Sequence, residues 1–562
     1  MTKGPSLSQA HGGQILIESL VNLGLTTGFG VPGESYLAAL DGMVDRDVRK
    51  VFDFTLCRNE GGAAFMAASY GKLTGKPGIC FVTRGPGATN AAIGVHTAMQ
   101  DSSPMILFVG QIGTDVVDRE AFQEVDYRDV FSGLAKWVTQ INECERLPEL
   151  VGRAYAKALS GRPGPVVVAL PEDMLSAMSD VAACQPFDLP KPAAADEQIS
   201  VLIDKLRHAQ SPVIIAGGGG WNDAGRRDLA QFAAHMQVPV MASFRCHDVM
   251  DNTHSCYVGD AGIGASPQAS DRLRNADLLI AINIRFGEMV TQNWQLFDVP
   301  KMNPYLVHSH ISADEIGKIY QPDIAIQSCP NKLVHQLLAH AGEPVGAQAR
   351  RDYVAGEKAL YDAGLIPPKQ TTKLDLASVI ATIEDLAPSD AIITHGAGNF
   401  AIWPDKFMRY GQGRRLLAPQ AGAMGYGLPA AIAAFVAEPT RTVICFAGDG
   451  DIQMNLAELG TAMQIGAKPI ILIYNNGTYG TIRMHQERHY PERISGTTLV
   501  NPDFMALASA YGFAGHRIET AEEFTPAFQA ALQASTGTII ELMQDAEQLT
   551  PTMNVANLRA QS

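Results

Sequence analysis

Long apolar runs, basic clusters and paired cysteines are all missing from this 562-residue sequence. No stretch approaches the roughly 18 uninterrupted apolar residues of a membrane-spanning helix, so no transmembrane segment is expected. Met1–Gly13 carries no apolar core followed by a cleavage site, which argues against a secretion signal. Lysine and arginine number 43 against 58 acidic residues, a net charge of −15, and no basic run breaks the pattern. Binding to nucleic acid or to an anionic membrane surface is therefore not expected. Eight cysteines stand singly at 57, 80, 144, 184, 246, 256, 329 and 445, with no CxxC pair. They read as reduced thiols of a cytoplasmic protein, buried as small apolar residues, and not as a disulfide frame or zinc site.

What is present is core-forming material. Hydrophobic residues make up 46% and charged residues only 18% of the chain, so it is not disordered by composition. At about 150 residues per domain the length implies three or four domains. Short β-branched runs alternate with helix-length amphipathic segments: GICFVT, PMILFVG and PVVVALP, then SPVIIAGG, ADLLIAIN and YLVHSHI, then AIITHG, RTVICFAG and KPIILIYNN. Continuous apolar runs of this length suit strands covered on both faces, hence parallel sheets. Two Pro-, Ala- and charge-rich stretches, 180–198 and 340–372, read as linkers. The expected architecture is α/β, with three doubly wound parallel-sheet domains at 1–180, 198–340 and 373–545 and a tail at 546–562.

An internal repeat sharpens this. Ile79-Cys80-Phe81 runs into Gly85-Pro86-Gly87, then Thr97-Ala98-Met99-Gln100, then Pro104. Ile444-Cys445-Phe446 runs into Gly448-Asp449-Gly450, then Thr461-Ala462-Met463-Gln464, then Pro469. The ICF-to-TAMQ offsets are 18 and 17, and the TAMQ-to-Pro offsets 7 and 8. Two copies of one strand–turn–helix–strand unit imply two similar domains flanking a different middle one.

The second copy carries the chemistry. Gly448-Asp449-Gly450 is followed after 24 residues by Asn475-Asn476, with a helix expected over about 453–466. Both Asp449 and Asn476 then stand at carboxyl ends of neighbouring strands, where open α/β sheets bind ligands. A carboxylate and an amide oxygen suit a hard cation such as magnesium, which keeps phosphate oxygens among its ligands. The flanking glycines let main-chain amides approach a phosphate.

GDG, a run of this length and NN together resemble the thiamine-diphosphate enzymes of the acetolactate synthase, pyruvate oxidase and pyruvate decarboxylase group. The resemblance covers nearly the whole chain, in the order pyrimidine-binding, middle and diphosphate-binding domain. It implies that Asp449, Asn476 and the main-chain oxygen of Thr478 hold Mg2+, and that Gly398, Asn399, Gly450 and Asp451 lie along the diphosphate. In GAMGYGLP it implies Met424 as the apolar support that bends the cofactor and the Gly422 carbonyl as partner of its amino group. Glu60, in CRNEGGAAFMAASYGKLTGKPG, matches the family glutamate that exchanges a proton with the pyrimidine ring. Gly61, Gly62 and Ala63 are expected to keep it dry. Phe122 and Gln123, in GQIGTDVVDREAFQEVDY, match a loop facing cofactor and substrate, and SGRPGPVVVALPEDM resembles that family's close of the first domain.

The departures bear on the substrate. After NN the chain reads GTYGTIRMHQERHYPER, with His485 where the synthases usually have tryptophan. Arg483 and His485 are expected to line the mouth and hold a carboxylate or donate protons. Arg84 in TRGPGATN is a second candidate anion contact. Glu34 in GVPGESYL stands where the synthases have glycine and the decarboxylases an acid that releases an aldehyde. The paired histidines of those decarboxylases are absent. The middle domain opens with Gly217–Gly220 after a strand, and Asn283-Ile284-Arg285-Phe286 keeps only part of the family's flavin segment, which leaves FAD and an empty middle domain equally open.

The resemblance implies decarboxylation of a 2-oxo acid and carboligation of the resulting enamine to a second carbonyl, in a homodimer or homotetramer. The cofactor would lie between the first domain of one subunit and the third of its partner. Simple decarboxylation to an aldehyde is the alternative, and a catalytically silent regulatory paralogue the alternative from another class.

Overall fold

The computed structural model describes residues 9–44, 50–411 and 413–560; the reading of the segment before Gln9 lies outside them. They form three six-stranded sheets in which every neighbouring pair is parallel.

The first sheet contains β1 (Thr27–Gly30), β2 (Asp53–Leu56), β3 (Gly78–Val82), β4 (Met105–Gln111), β5 (Trp137–Gln140) and β6 (Pro165–Pro171), in the order β2-β1-β3-β4-β6-β5. Helix α1 (Glu60–Thr74) follows β2 and α2 (Pro86–Asp101) follows β3. The middle sheet contains β7 (Pro212–Ala216), β8 (Val240–Ser243), β9 (Tyr257–Ala261), β10 (Leu278–Ile282), β11 (Tyr305–His310) and β12 (Ile324–Gln327), ordered β9-β8-β7-β10-β11-β12. Helix α3 (Asp223–Met236) follows β7, and α4 (Gln348–Gly364) follows the sheet. The third sheet contains β13 (Ile392–His395), β14 (Arg415–Leu417), β15 (Val443–Gly448), β16 (Ile470–Asn475), β17 (Ala514–Ile518) and β18 (Thr538–Met543), ordered β14-β13-β15-β16-β18-β17. Helix α5 (Leu459–Ile465) crosses from β15 to β16, α6 (Gly480–His489) follows β16, and α7 (Val555–Ala560) closes the described chain.

The first and third sheets thus share one strand order and the middle sheet another, as the repeat predicts. Both ICF triplets lie on the third strand of their sheet, both TAMQ segments on the helix that follows, and both prolines just before the fourth strand. The apolar runs are strands because both faces are covered: Val166, Val167, Val168 and Leu170 of β6 are all fully buried.

By internal contacts the chain forms two compact units. One is built on the chain up to Pro190 plus Leu428–Pro439 and Asn455–Ala467, the other on Lys191–Gly427, Thr440–Met454 and the chain from Lys468 on. Seven of the eight unpaired cysteines are buried and Cys184 is half-buried. Among the described residues no helix is long and apolar enough to cross a membrane.

Two local expectations are corrected. The stretch 340–372 contains the 17-residue α4. Its Arg350 donates to the carbonyls of Leu206 and Ala209, and Val354 enters the middle core. Only those two helix residues are buried, too few for an apolar periodicity to show. The helix expected over 453–466 is broken. A short helix starts at Asp449 itself, a tight 3-10 stretch runs over Gln453–Glu458, and Asn455 is non-helical (φ −135°, ψ 31°). The break lets Glu458 accept from the main-chain N–H groups of Arg58 and Asn59, a contact 400 residues away in sequence.

Candidate active site

The third sheet presents its carboxyl edge to a cavity of about 230 Å³. Of the residues expected to bind cofactor or metal, Gly398, Asn399, Gly422, Met424, Asp449, Gly450, Asp451, Asn476 and Thr478 all line it. The fold brings them together because β13, β15 and β16 are neighbours that end at one level.

Asp449 is buried, and burial raises its carboxyl pKa against the pull of the donors around it. One oxygen accepts from Gly450 N–H at 2.9 Å; the other accepts from Gly477 N–H at 2.8 Å and Asn501 Nδ2 at 2.7 Å. A buried carboxylate in this setting is suited to a cation. Asn476 Oδ1 accepts from Thr478 N–H at 3.1 Å, closing a tight turn after β16. Among the described residues no group of three or more His, Cys, Asp or Glu could hold a metal. The expected set of one carboxylate, one amide and one main-chain oxygen is of another kind, and the cavity supplies its members.

Asp451 lines the same cavity. Its carboxylate accepts from Gly425 N–H at 2.9 Å and Ala397 N–H at 3.2 Å, so it ties the Met424 turn to the turn after β13. Complete burial pushes its pKa up to about 7. A Cβ on Gly396 would lie 2.0 Å from that carboxylate, which is why glycine stands there. Gly422 (φ 65°) and Gly425 (φ 77°) take the left-handed conformation that the turn around Met424 requires. Met424 is half-buried and faces the cavity. Asn399 is held by Thr481 Oγ1 at 2.9 Å.

Neither Arg483 nor His485 lines this cavity. Arg483 donates to the Ala546 carbonyl at 3.1 Å and pairs with Glu547. On α6 the positions 483 and 487 are one turn apart, and that face meets the C-terminal segment: Glu487 is fully buried against Arg559 of α7. His485 is exposed, and partial burial with Arg488 and His489 nearby pushes its pKa down. The face of the turn and helix that does meet the cavity carries Thr478, Tyr479, Thr481 and Ile482. Ile482, an exposed apolar residue one helix position before Arg483, was the signal missed.

On the other unit, Glu60 is the first residue of α1, capped by Asn59, with Oε2 accepting from Asn90 Nδ2 at 2.9 Å. Gly61, Gly62 and Ala63 are buried, yet Glu60 itself is half-buried. Arg84 is not a vacant anion contact. Its guanidinium binds Glu34 at 3.0 Å and Glu172 at 3.2 Å, and its Nε donates to the Phe122 carbonyl at 3.1 Å. Glu34, expected as an acid at the substrate, is thereby engaged in an ion pair. Gln123 has φ 65°, beside Gly85, whose N–H donates to Tyr127 Oη at 2.8 Å. Phe122 is 72% exposed.

Family models describe these two halves and the domain between them. The thiamine pyrophosphate enzyme N-terminal TPP-binding domain matches residues 10–130, the central domain 199–337 and the C-terminal TPP-binding domain 396–542. The chain belongs to the thiamine pyrophosphate enzyme family. It is 32% identical over 544 residues to the acetolactate synthase large subunit of Parasynechococcus marenigrum, covering 94% of this chain and 87% of that protein. It is 31% identical to the acetolactate synthase isozyme 2 large subunit of Escherichia coli, covering 93% and 94%. To the acetolactate synthase large subunit of Lactococcus lactis it is 34% identical, covering 89% and 87%. The family's cofactor fits the site: glycines at 398, 422, 448, 450 and 480 line the cavity without side chains, and the buried carboxylate of Asp449 suits a cation.

Proposed function

We propose that this protein decarboxylates a 2-oxo acid with thiamine diphosphate and magnesium and joins the remaining fragment to a second carbonyl compound, as an acetolactate synthase-type carboligase. The observation that carries the reading is the cavity itself, lined by buried Asp449, by Asn476 and Thr478, and by the apolar Met424 and Ile482. When bound, thiamine diphosphate supplies the electron sink that lets carbon dioxide leave a 2-oxo acid.

The chain's own residues do the rest. Asp449, Asn476 and the Thr478 carbonyl hold the magnesium; Gly398, Asn399 and Gly450 receive the diphosphate; Asp451 holds the two turns in place. Met424 and Ile482 give the wall an apolar surface and exclude water. Glu60, positioned by Asn90, holds and returns a proton. We assign the active assembly to a homodimer or larger homo-oligomer, in which Glu60 of one copy serves the Asp449 cavity of another, and the protein to the cytoplasm. The eight unpaired cysteines support the latter.

The aldehyde-releasing alternative loses its basis in the ion pair between Glu34 and Arg84. The test is product analysis by mass spectrometry with a panel of 2-oxo acids, with and without an added carbonyl acceptor. Ligated products are expected, and aldehyde alone would refute carboligation. In calorimetry Asp449→Ala should abolish the magnesium dependence of thiamine diphosphate binding; unchanged affinity would remove Asp449 from the metal site.

A further inference from the structure

The middle sheet reverses its strand order between β7 and β10. In open α/β sheets a dinucleotide binds at that reversal, with its pyrophosphate on the glycine loop after the first strand and on the following helix N-terminus. Here β7 ends at Ala216 and runs into Gly217–Gly220, and β10 ends at Ile282, directly followed by Asn283. Each element a dinucleotide needs is present in outline, and amide side chains of the protein bridge both the glycine loop and the helix end.

Asn283 occupies the crevice. It adopts φ 57°, the left-handed conformation that asparagine tolerates better than other non-glycine residues. Its Nδ2 donates to the Gly217 carbonyl at 3.2 Å and the Gly219 carbonyl at 2.9 Å, and its Oδ1 accepts from Ile311 N–H at 3.4 Å. A Cβ on Gly218 would lie 2.3 Å from the Asn283 carbonyl oxygen and 2.8 Å from its Nδ2, so loop and strand end are already in contact. Trp221 Nε1 donates to the Gly217 carbonyl at 2.8 Å.

The helix end is equally engaged. Asn331 Nδ2 donates to the Gly220 carbonyl at 2.8 Å, and its Oδ1 accepts from Asn222 N–H at 3.1 Å. Asn222 caps α3 by accepting from Gly225 N–H at 2.8 Å, and Asp223 places a negative charge in the first turn. A Cβ on Gly225 would lie 1.9 Å from Asn331 Oδ1, so Asn331 packs directly on the first turn of the helix. The acid that binds ribose about 20 residues beyond the glycines is also missing: residues 236–245 read MQVPVMASFR.

We propose that this crevice is closed by the protein's own amide side chains, with Asn283 as its bolt, and that the middle domain holds no FAD. The domain then acts as a scaffold. The inference is independent of the thiamine diphosphate site, so its failure leaves the carboligase reading untouched.

The full-length protein is purified with thiamine diphosphate and magnesium, denatured, and the supernatant read for flavin absorbance and fluorescence. A second sample is titrated with FAD and followed by quenching of flavin fluorescence. The wild type should release no flavin and show no saturable quenching. Asn283→Gly keeps the left-handed backbone without strain and should bind FAD at least about tenfold tighter than wild type. Asn331→Ala, which unlocks the helix end, should shift binding the same way if the glycine variant does not fold. Flavin near one per chain in the wild type would overturn the proposal. Folded variants, verified by circular dichroism, that bind FAD no better than wild type would overturn the assignment of closure to these side chains.

Discussion

Replacing Glu458 by alanine should be among the most damaging changes outside the cavity. Its side chain is completely buried, and burial raises its carboxyl pKa. Oε1 accepts from Arg58 N–H at 3.0 Å and Asn59 N–H at 2.9 Å, and Oε2 from Thr461 Oγ1 at 2.5 Å. Hydrogen bonds to a charged group contribute about 1.5–3 kcal/mol each, so the two main-chain donors alone stand for about 3–6 kcal/mol. Removing a desolvated carboxylate returns part of this, leaving a net loss of about 2–4 kcal/mol. Glu458→Gln keeps an oxygen for both N–H groups and loses only the charge, at about 1 kcal/mol. Differential scanning calorimetry of the protein without cofactor is the assay. At about 2–4 °C per kcal/mol for a unit of this size, the alanine variant should melt roughly 4–16 °C lower, with glutamine recovering most of the difference. An alanine variant melting within about a degree of wild type would refute the reasoning. So would a glutamine variant no better than alanine.

Two further outcomes follow from the pairs the fold creates. Arg483→Ala should loosen the C-terminal segment from α6, seen as faster chymotryptic clipping in the segment beyond Gln544, with a stability loss of only about 1 kcal/mol because Glu547 is largely exposed. Unchanged clipping with a raised Michaelis constant for the acceptor would return Arg483 to the mouth. Lys136 donates to the carbonyls of Lys157 and Ser160, and burial together with Lys157 and Arg162 pushes its pKa down to about 8 from 10.5. Between those pH values the unfolded chain holds a proton that the folded chain has released, so stability rises with pH across that window. Lys136→Met should lack this rise when denaturation midpoints are compared from about pH 7 to pH 10.5, and parallel profiles would show the lysine titrates normally.

The sheets were legible in the sequence because strands buried on both faces must be apolar along their whole length, as β6 and β10 are. The repeated domain was legible because ICF, TAMQ and the prolines mark strand, helix and strand at nearly constant spacing. The cavity on the third sheet was legible because Asp449 and Asn476 each follow directly on a strand, and neighbouring parallel strands end together. What the sequence left open were the partners of charged side chains. Arg84 and Glu34 are 50 residues apart and Arg483 and Glu547 are 64 apart; each arginine looked available for substrate until the fold placed a carboxylate beside it. Helix α4 was hidden because its inward face, Arg350, Val354, Glu357 and Tyr361, carries a single aliphatic residue. The state of the glycine loop at 217–220 was decided by Asn283, whose left-handed backbone aims an amide at two carbonyls 64 to 66 residues earlier. Apolar periodicity is a local property and is written along the chain, whereas the pairing of a charge or an amide depends on which distant strand ends the topology sets side by side.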